Sequence, residues 1–208
     1  PDMTTSNLPA RWITATMLFI ATASYAVPEP LVDRADRAVA DGEALSVVVA
    51  YRHGESVRTH VAGTRAVDSN RAPTIDTAYA VGSITKAFTH LLLAERVEAD
   101  QVDYDTTLAE LIGDEVDFAN TEVGAITLEQ LATHTSGLPR MPANFQPADS
   151  QDPYVDYGAE ALLQAAAATR EGQPLGGPYA YSNFGVGLLG WLLGEQAGTG
   201  YEQALTDE

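Results

Sequence analysis

Val81-Gly82-Ser83-Ile84-Thr85-Lys86-Ala87-Phe88-Thr89 is the stretch on which the reading of this chain turns. It follows a loop holding Asp68, Ser69, Asn70 and Pro73. The apolar Ala87, Phe88, Leu91, Leu92 and Ala94 then recur at helical spacing. Ser83 is therefore expected at the N-terminal end of a helix. Lys86 is the only lysine among 11 basic residues, and its surroundings are apolar. A chain that elsewhere uses arginine has placed here the one compact amine that can give up its proton, which a guanidinium cannot do. Desolvation and neighbouring positive charge favour the neutral amine, a proton acceptor for a nearby hydroxyl. Residues three apart share a helix face, so the Ser83 oxygen can approach the Lys86 nitrogen. The unpaired N–H groups and positive dipole end of the helix suit the oxyanion that forms when a serine attacks a carbonyl. Alone, the S-x-x-K spacing describes an N-capping serine and a solvent-directed lysine equally well.

Upstream, Leu31, Val32, Ala35, Ala38 and Val39 mark a helix over 31–41, with Gly42 at the place of a left-handed cap. Ala44 to Arg52 and Ser56 to Ala62 read as the strands of a hairpin around His53-Gly54-Glu55, with Val57, Thr59 and Val61 on one side. Downstream, short helices follow. One spans Thr127 to Thr135, where Thr127 and Gln130 have capping-box spacing and Gly137-Leu138-Pro139 stops the helix. Residues 141–157 read as loop, 159–169 as an alanine-rich helix, and 183–197 as a nearly all-apolar helix, too short for a membrane span, whose Gly187, Gly190 and Gly194 permit close packing. Tyr201 to Glu208 reads as the start of another helix.

Composition narrows the function classes. The formal net charge of -18 repels phosphate backbones and anionic membrane surfaces, and the ten arginines are scattered singly, which argues against nucleic-acid binding. There is no cysteine, and the four histidines have no ligand spacing, so a metal-free, cofactor-free mechanism is expected. Arg11, the apolar run from Trp12 to Ala23 and Ser24-Tyr25-Ala26 have the layout of a signal peptide over residues 1–26, cleaved after Ala26 or, alternatively, Ala23. The expected location is periplasmic or secreted, with one catalytic domain over 27–208.

Three separated motifs carry a resemblance. Gly82-Ser83-Ile84-Thr85-Lys86-Ala87-Phe88-Thr89 is the first. Ile126-Thr-Leu-Glu-Gln-Leu-Ala-Thr-His-Thr-Ser-Gly-Leu-Pro139 is the second and the most specific. Tyr181-Ser182-Asn183, followed by Phe184-Gly-Val-Gly-Leu-Leu-Gly190, is the third. Together they resemble the class C β-lactamase superfamily, including related esterases and D-alanyl-D-alanine peptidases, in the expected order from about Ala44 onward. The resemblance implies an α/β fold of β-lactamase/transpeptidase type, an antiparallel sheet flanked by helices with a helical subdomain inserted between Ser83 and Tyr181. It implies Ser83 as nucleophile, Lys86 as its partner or base, Tyr181 as a proton-shuttling phenol or phenolate, and Asn183 as a contact for substrate and lysine. Residues i and i+2 of an extended segment point the same way, so Tyr181 and Asn183 can face one cleft. Read without the family, the same segment is a turn with Asn183 capping the next helix.

Ser182 stands where true class C β-lactamases usually have alanine, which puts antibiotic hydrolysis in doubt more than catalysis. His134 and Ser136 lack a Gly-x-Ser-x-Gly elbow and read as helix-end residues. The expected reaction is acyl transfer from a β-lactam or D-Ala-type amide, with a carboxylic ester or non-hydrolysed penicillin as alternatives. The expected partner is a small-molecule or peptidoglycan-type substrate, and the expected full-length state a monomer. The family carries a further Lys-Thr-Gly or His-x-Gly motif on a later strand, and nothing here matches it. The 208 residues are accordingly expected to lack C-terminal strands and, alone, to be poorly soluble and nearly inactive.

Overall fold

The computed structural model describes residues 25–113, 116–118, 121–150, 152–169 and 177–206. The signal-peptide reading falls on residues 1–26 and so lies, but for its last two residues, outside them. The protein splits between Tyr79 and Ala80 into two units.

In the first unit, α1 (Glu29–Ala40) begins with Pro30 in its first turn and is followed by Gly42 at φ 73°. A left-handed residue there costs glycine no Cβ clash, so the helix stops as its sequence predicts. Strands β1 (Ser46–His53) and β2 (Ser56–Gly63) pair antiparallel from Ser46↔Gly63 to His53↔Ser56. The turn is two residues, Gly54-Glu55, with Gly54 at φ 57°, rather than the three read from sequence. Helix α1 packs on both strands, and His60 Nε2 meets Asp36 Oδ1 at 2.8 Å. Val57, Thr59 and Val61 do share a side, as their alternation predicts, and it is the exposed one.

The second unit is helical. A 3-10 turn (Gly82–Ile84) leads into α2 (Thr85–Glu98), and α3 (Leu108–Ile112), α4 (Thr121–Gly124), α5 (Leu128–Ala132), α6 (Ala159–Ala168), α7 (Asn183–Ala197) and α8 (Tyr201–Thr206) follow. Helices α3 and α5 start side by side. Thr107 and Thr127 form an antiparallel bridge, and each caps its helix in a capping box, with Glu110 and Gln130 respectively. The Thr127 box was legible in the sequence; Thr107-x-x-Glu110 carries the same signature. The core gathers around α7, where Phe184, Leu188, Leu189, Leu192 and Leu193 are buried against Leu92, Leu93, Leu128 and Leu131. Full burial of each such side chain contributes about 1.5–3 kcal/mol before chain entropy is subtracted. A helix apolar all round belongs in a core, and α7 takes that place. Among the described residues no helix is long and apolar enough to cross a membrane.

The three glycines of α7 are not equivalent. A Cβ on Gly194 would collide with the Tyr201 backbone, and one on Gly190 would press the Tyr201 ring at 3.1 Å. Gly187 has nothing within 4 Å, so the close packing read from sequence holds for two of the three. Gly194→Ala is therefore expected to destabilise the protein by about 1–3 kcal/mol. Gly187→Ala, a helix-favouring change with no clash, is expected to be neutral or to stabilise by up to about 1 kcal/mol. Chemical denaturation of both variants checks the pair, and equal losses would contradict this packing.

Candidate active site

Ser83 lies in the 3-10 turn ahead of α2, exposed, and its Oγ is 2.8 Å from the Tyr181 hydroxyl. The two residues are 98 apart in sequence, and both belong to the helical unit. Lys86, one turn on, places Nζ 5.0 Å from the Tyr181 ring centroid. The Arg140 guanidinium stands 5.0 Å from the same centroid. Tyr181 rather than Lys86 thus takes the hydrogen bond with Ser83. Ser83 precedes the first α-helical residue, Thr85, so the i,i+3 neighbourhood of a regular helix does not fix its side chain.

Electrostatics bears on the phenol. A hydrogen bond with Lys86 is the largest cause lowering the Tyr181 pKa below that of an ordinary phenol. The Ser83 hydrogen bond and the positive charges of Lys86 and Arg140 act in the same direction, while desolvation opposes them. A phenol so placed reaches its phenolate at lower pH and can take a proton from the serine it touches.

The segment that carries Tyr181 is anchored along its length. Ser182 is extended (φ −127°, ψ 113°) and caps α7, its Oγ accepting the Gly185 N–H at 2.8 Å. The same hydroxyl donates to the Pro139 carbonyl at 2.7 Å. The cap is Ser182 and not Asn183, which is the first residue of α7. The Asn183 N–H donates to the Arg140 carbonyl at 2.9 Å, and its side-chain Nδ2 points to Met141 Sδ at 3.4 Å. Ser182 is buried while Tyr181 and Asn183 are half-buried, the alternation that an extended segment imposes. The structure therefore brings together Ser83, Lys86 and Tyr181, with Asn183 two residues on and turned toward Met141.

The turn after α5 supplies the other half of the anchor. The helix read to Thr135 ends at Ala132 because His134 adopts φ 60°. His134 is buried, its Nδ1 accepts the Ser182 N–H at 3.2 Å, and its carbonyl accepts the Ala180 N–H at 2.8 Å. It is more than the helix-end residue read from the sequence. Arg140 and His134 are the neighbours of Tyr181 that sequence reading missed as site residues. Both lie in or next to the quoted Ile126–Pro139 motif, and that proximity was the only signal.

A family model described as "Beta-lactamase" matches residues 31–208. "Beta-lactamase-like protein 2" of Dictyostelium discoideum is 31% identical over 156 residues, which are 68% of this chain and 26% of that protein. The structure of a D-stereospecific amidohydrolase from Streptomyces sp. aligns with TM-score 0.69 and 26% identity over 87% of this chain and 53% of the other. A class C beta lactamase from Rhodobacter sphaeroides aligns with TM-score 0.66 and 24% identity over 85% and 46%. The fold is the β-lactamase/transpeptidase-like one expected from the sequence. The chain spans about half the length of these solved structures and about a quarter of the Dictyostelium protein.

Proposed function

The chain belongs to the β-lactamase family, and from that membership we propose that it serves a serine hydrolase working through an acyl-enzyme on β-lactam or D-Ala-type amide carbonyls. The observation that carries this reading is the 2.8 Å contact between Ser83 Oγ and the Tyr181 hydroxyl, with Lys86 against the same phenol. Ser83 Oγ attacks the carbonyl carbon and its proton passes to the Tyr181 oxygen. Lys86 and Arg140 favour the anionic phenol before transfer. The N–H groups of Ile84 and Thr85 are taken by turn carbonyls, so the developing oxyanion is assigned to the backbone N–H of Ser83 itself. Tyr181 then protonates the leaving nitrogen and the acyl–Ser83 ester remains; water attacks it with Tyr181 as base, the carbon–Oγ bond breaks, and the proton returns from Tyr181 to Ser83 Oγ as the acid leaves. Asn183 is assigned to substrate contact.

The likeness to a D-stereospecific amidohydrolase supports acyclic amides of D-amino acids beside β-lactams. Carboxylic esters react by the same acyl-serine route. The test compares a penicillin, a D-alanyl amide and a p-nitrophenyl ester on the full gene product, following both turnover and adduct mass. Faster turnover of the amides supports the reading. Ester hydrolysis alone would make the protein a carboxylesterase, and a long-lived stoichiometric penicillin adduct would make it a receptor.

Tyr181→Phe removes the group bonded to Ser83 while keeping the ring. Turnover is expected to fall about a hundredfold or more, as when a positioned acid–base group is lost. The ionisation that Tyr181 adds to the rate profile, below the usual phenol range, should vanish with it. An unchanged rate and profile would return Tyr181 to a purely structural part.

A further inference from the structure

His134 takes no part in the reaction just described, yet it accepts hydrogen bonds from both neighbours of Tyr181 and sets its ring against the phenol. Its left-handed backbone, φ 60°, is one that few residues other than glycine adopt, asparagine and histidine among the exceptions. With it, the main-chain carbonyl accepts the Ala180 N–H at 2.8 Å and Nδ1 accepts the Ser182 N–H at 3.2 Å. The residue between those two donors is Tyr181. Its ring lies 4.6 Å from the imidazole, centroid to centroid, and Tyr179 meets the imidazole edge-on at 5.5 Å. Resting on the reading of Ser83 and Tyr181 as the reacting pair, we propose that His134 is a positioning residue for Tyr181, its two acceptors fixing the Tyr181 backbone on either side and its ring backing the phenol, so that the hydroxyl is held at Ser83.

The chemistry of the acceptor sets its conditions. Nδ1 can accept only when the ring proton is on Nε2; an imidazolium would present N–H to N–H. Burial first, then the positive charges of His90 and Lys86, lower the His134 pKa. Among the described residues, the titratable and charged groups that bear on it are His90 and Lys86 from α2, Tyr179 and Tyr181 from the anchored segment, and Arg140, which faces the other contacts of the Tyr181 ring. No carboxylate among these groups favours the imidazolium, and the negative charge of a Tyr181 phenolate, which would favour it, is offset by Lys86 and Arg140 at the same ring. The neutral ring is therefore kept at neutral pH, and as pH falls through the lowered pKa the clamp opens and Tyr181 is released.

Asparagine at 134 keeps an acceptor, Oδ1, at the bond distance of Nδ1 and tolerates the left-handed backbone. Glycine keeps only the backbone. The experiment compares His134→Asn and His134→Gly in the full gene product, with thermal melting as a check on folding. The readouts are hydrogen exchange at the Ser182 amide without substrate, and kcat, KM and the pH profile with the best of the three substrates above. His134→Gly is expected to lose Ser182 protection and about tenfold to a hundredfold in kcat with KM little changed, as for a small misplacement of a reacting group. His134→Asn should restore the protection and most of kcat, and its profile should lack the acid limb due to His134. If His134→Gly does not fold, His134→Gln, whose acceptor lies one bond further out, supplies the same contrast. Wild-type protection and kcat in His134→Gly, or no recovery in His134→Asn, would overturn the proposal. If the wild type turns over none of the substrates, the hydrolase reading fails, and the Ser182 exchange alone decides whether His134 holds the segment.

Discussion

Replacing Ser83 by alanine is expected to abolish covalent labelling and to lower turnover by about three orders of magnitude or more, with the fold intact. Ser83 is exposed, and the hydrogen bond its side chain makes is the one to Tyr181. Removing the hydroxyl therefore opens no buried cavity and orphans no buried group, so stability should stay within about 0.5 kcal/mol of the parent. That separation gives the prediction its force. A residue needed for structure would lose activity and stability together; a nucleophile loses activity alone. Steady-state kinetics and denaturation on the same preparation make the comparison. Retention of a tenth or more of the turnover in a folded Ser83→Ala variant would remove Ser83 from the reaction.

The second large effect is at Lys86. Lys86→Arg keeps the positive charge and comparable length, so a merely electrostatic or surface role should survive it. The proposed role does not. Lys86 Nζ stands 5.0 Å from the ring centre of the same phenol that bonds Ser83, and a guanidinium offers a planar fork that never gives up its proton in place of a point-like amine. Acylation is expected to slow by about a hundredfold or more. The Tyr181 ionisation in the rate profile should also move, since its largest cause has been altered. Rapid-mixing measurement of acylation, separated from deacylation, reads both. An Arg variant with parent-like acylation would reduce Lys86 to a general counter-charge.

Much of this site was legible in the sequence because it is written in residue types. A solitary lysine three residues after a serine, and a tyrosine before the most apolar helix among the described residues, are chemical choices that survive without coordinates. The bounds of α7 were legible too, since Asn183 to Ala197 is apolar on every side and Gly198 follows at φ 69°. What could not be read is what depends on long-range docking or on a single dihedral angle. That Ser83 meets Tyr181 and not Lys86 depends on a contact spanning 98 residues. That the helix ends at Ala132, short of Thr135, follows from a backbone choice at His134, a non-glycine position, which no apolar period records. The exposure of Val57 and Val61 was beyond the sequence for a related reason: alternation tells which residues share a face, but which face is covered depends on where α1 docks, here on the face of His60, which meets Asp36.

The central claim is that Ser83, joined to Lys86 through Tyr181, is the residue that carries the acyl group. Peptide mapping of the adduct formed by the full gene product with a penicillin and with a p-nitrophenyl ester tests it most directly. The account predicts one acyl group on the peptide containing Ser83 with whichever probe reacts, formed in the parent and absent in Ser83→Ala. An adduct on Ser136, on Tyr181 or on any other residue, or turnover that never passes through an adduct on Ser83, would contradict it.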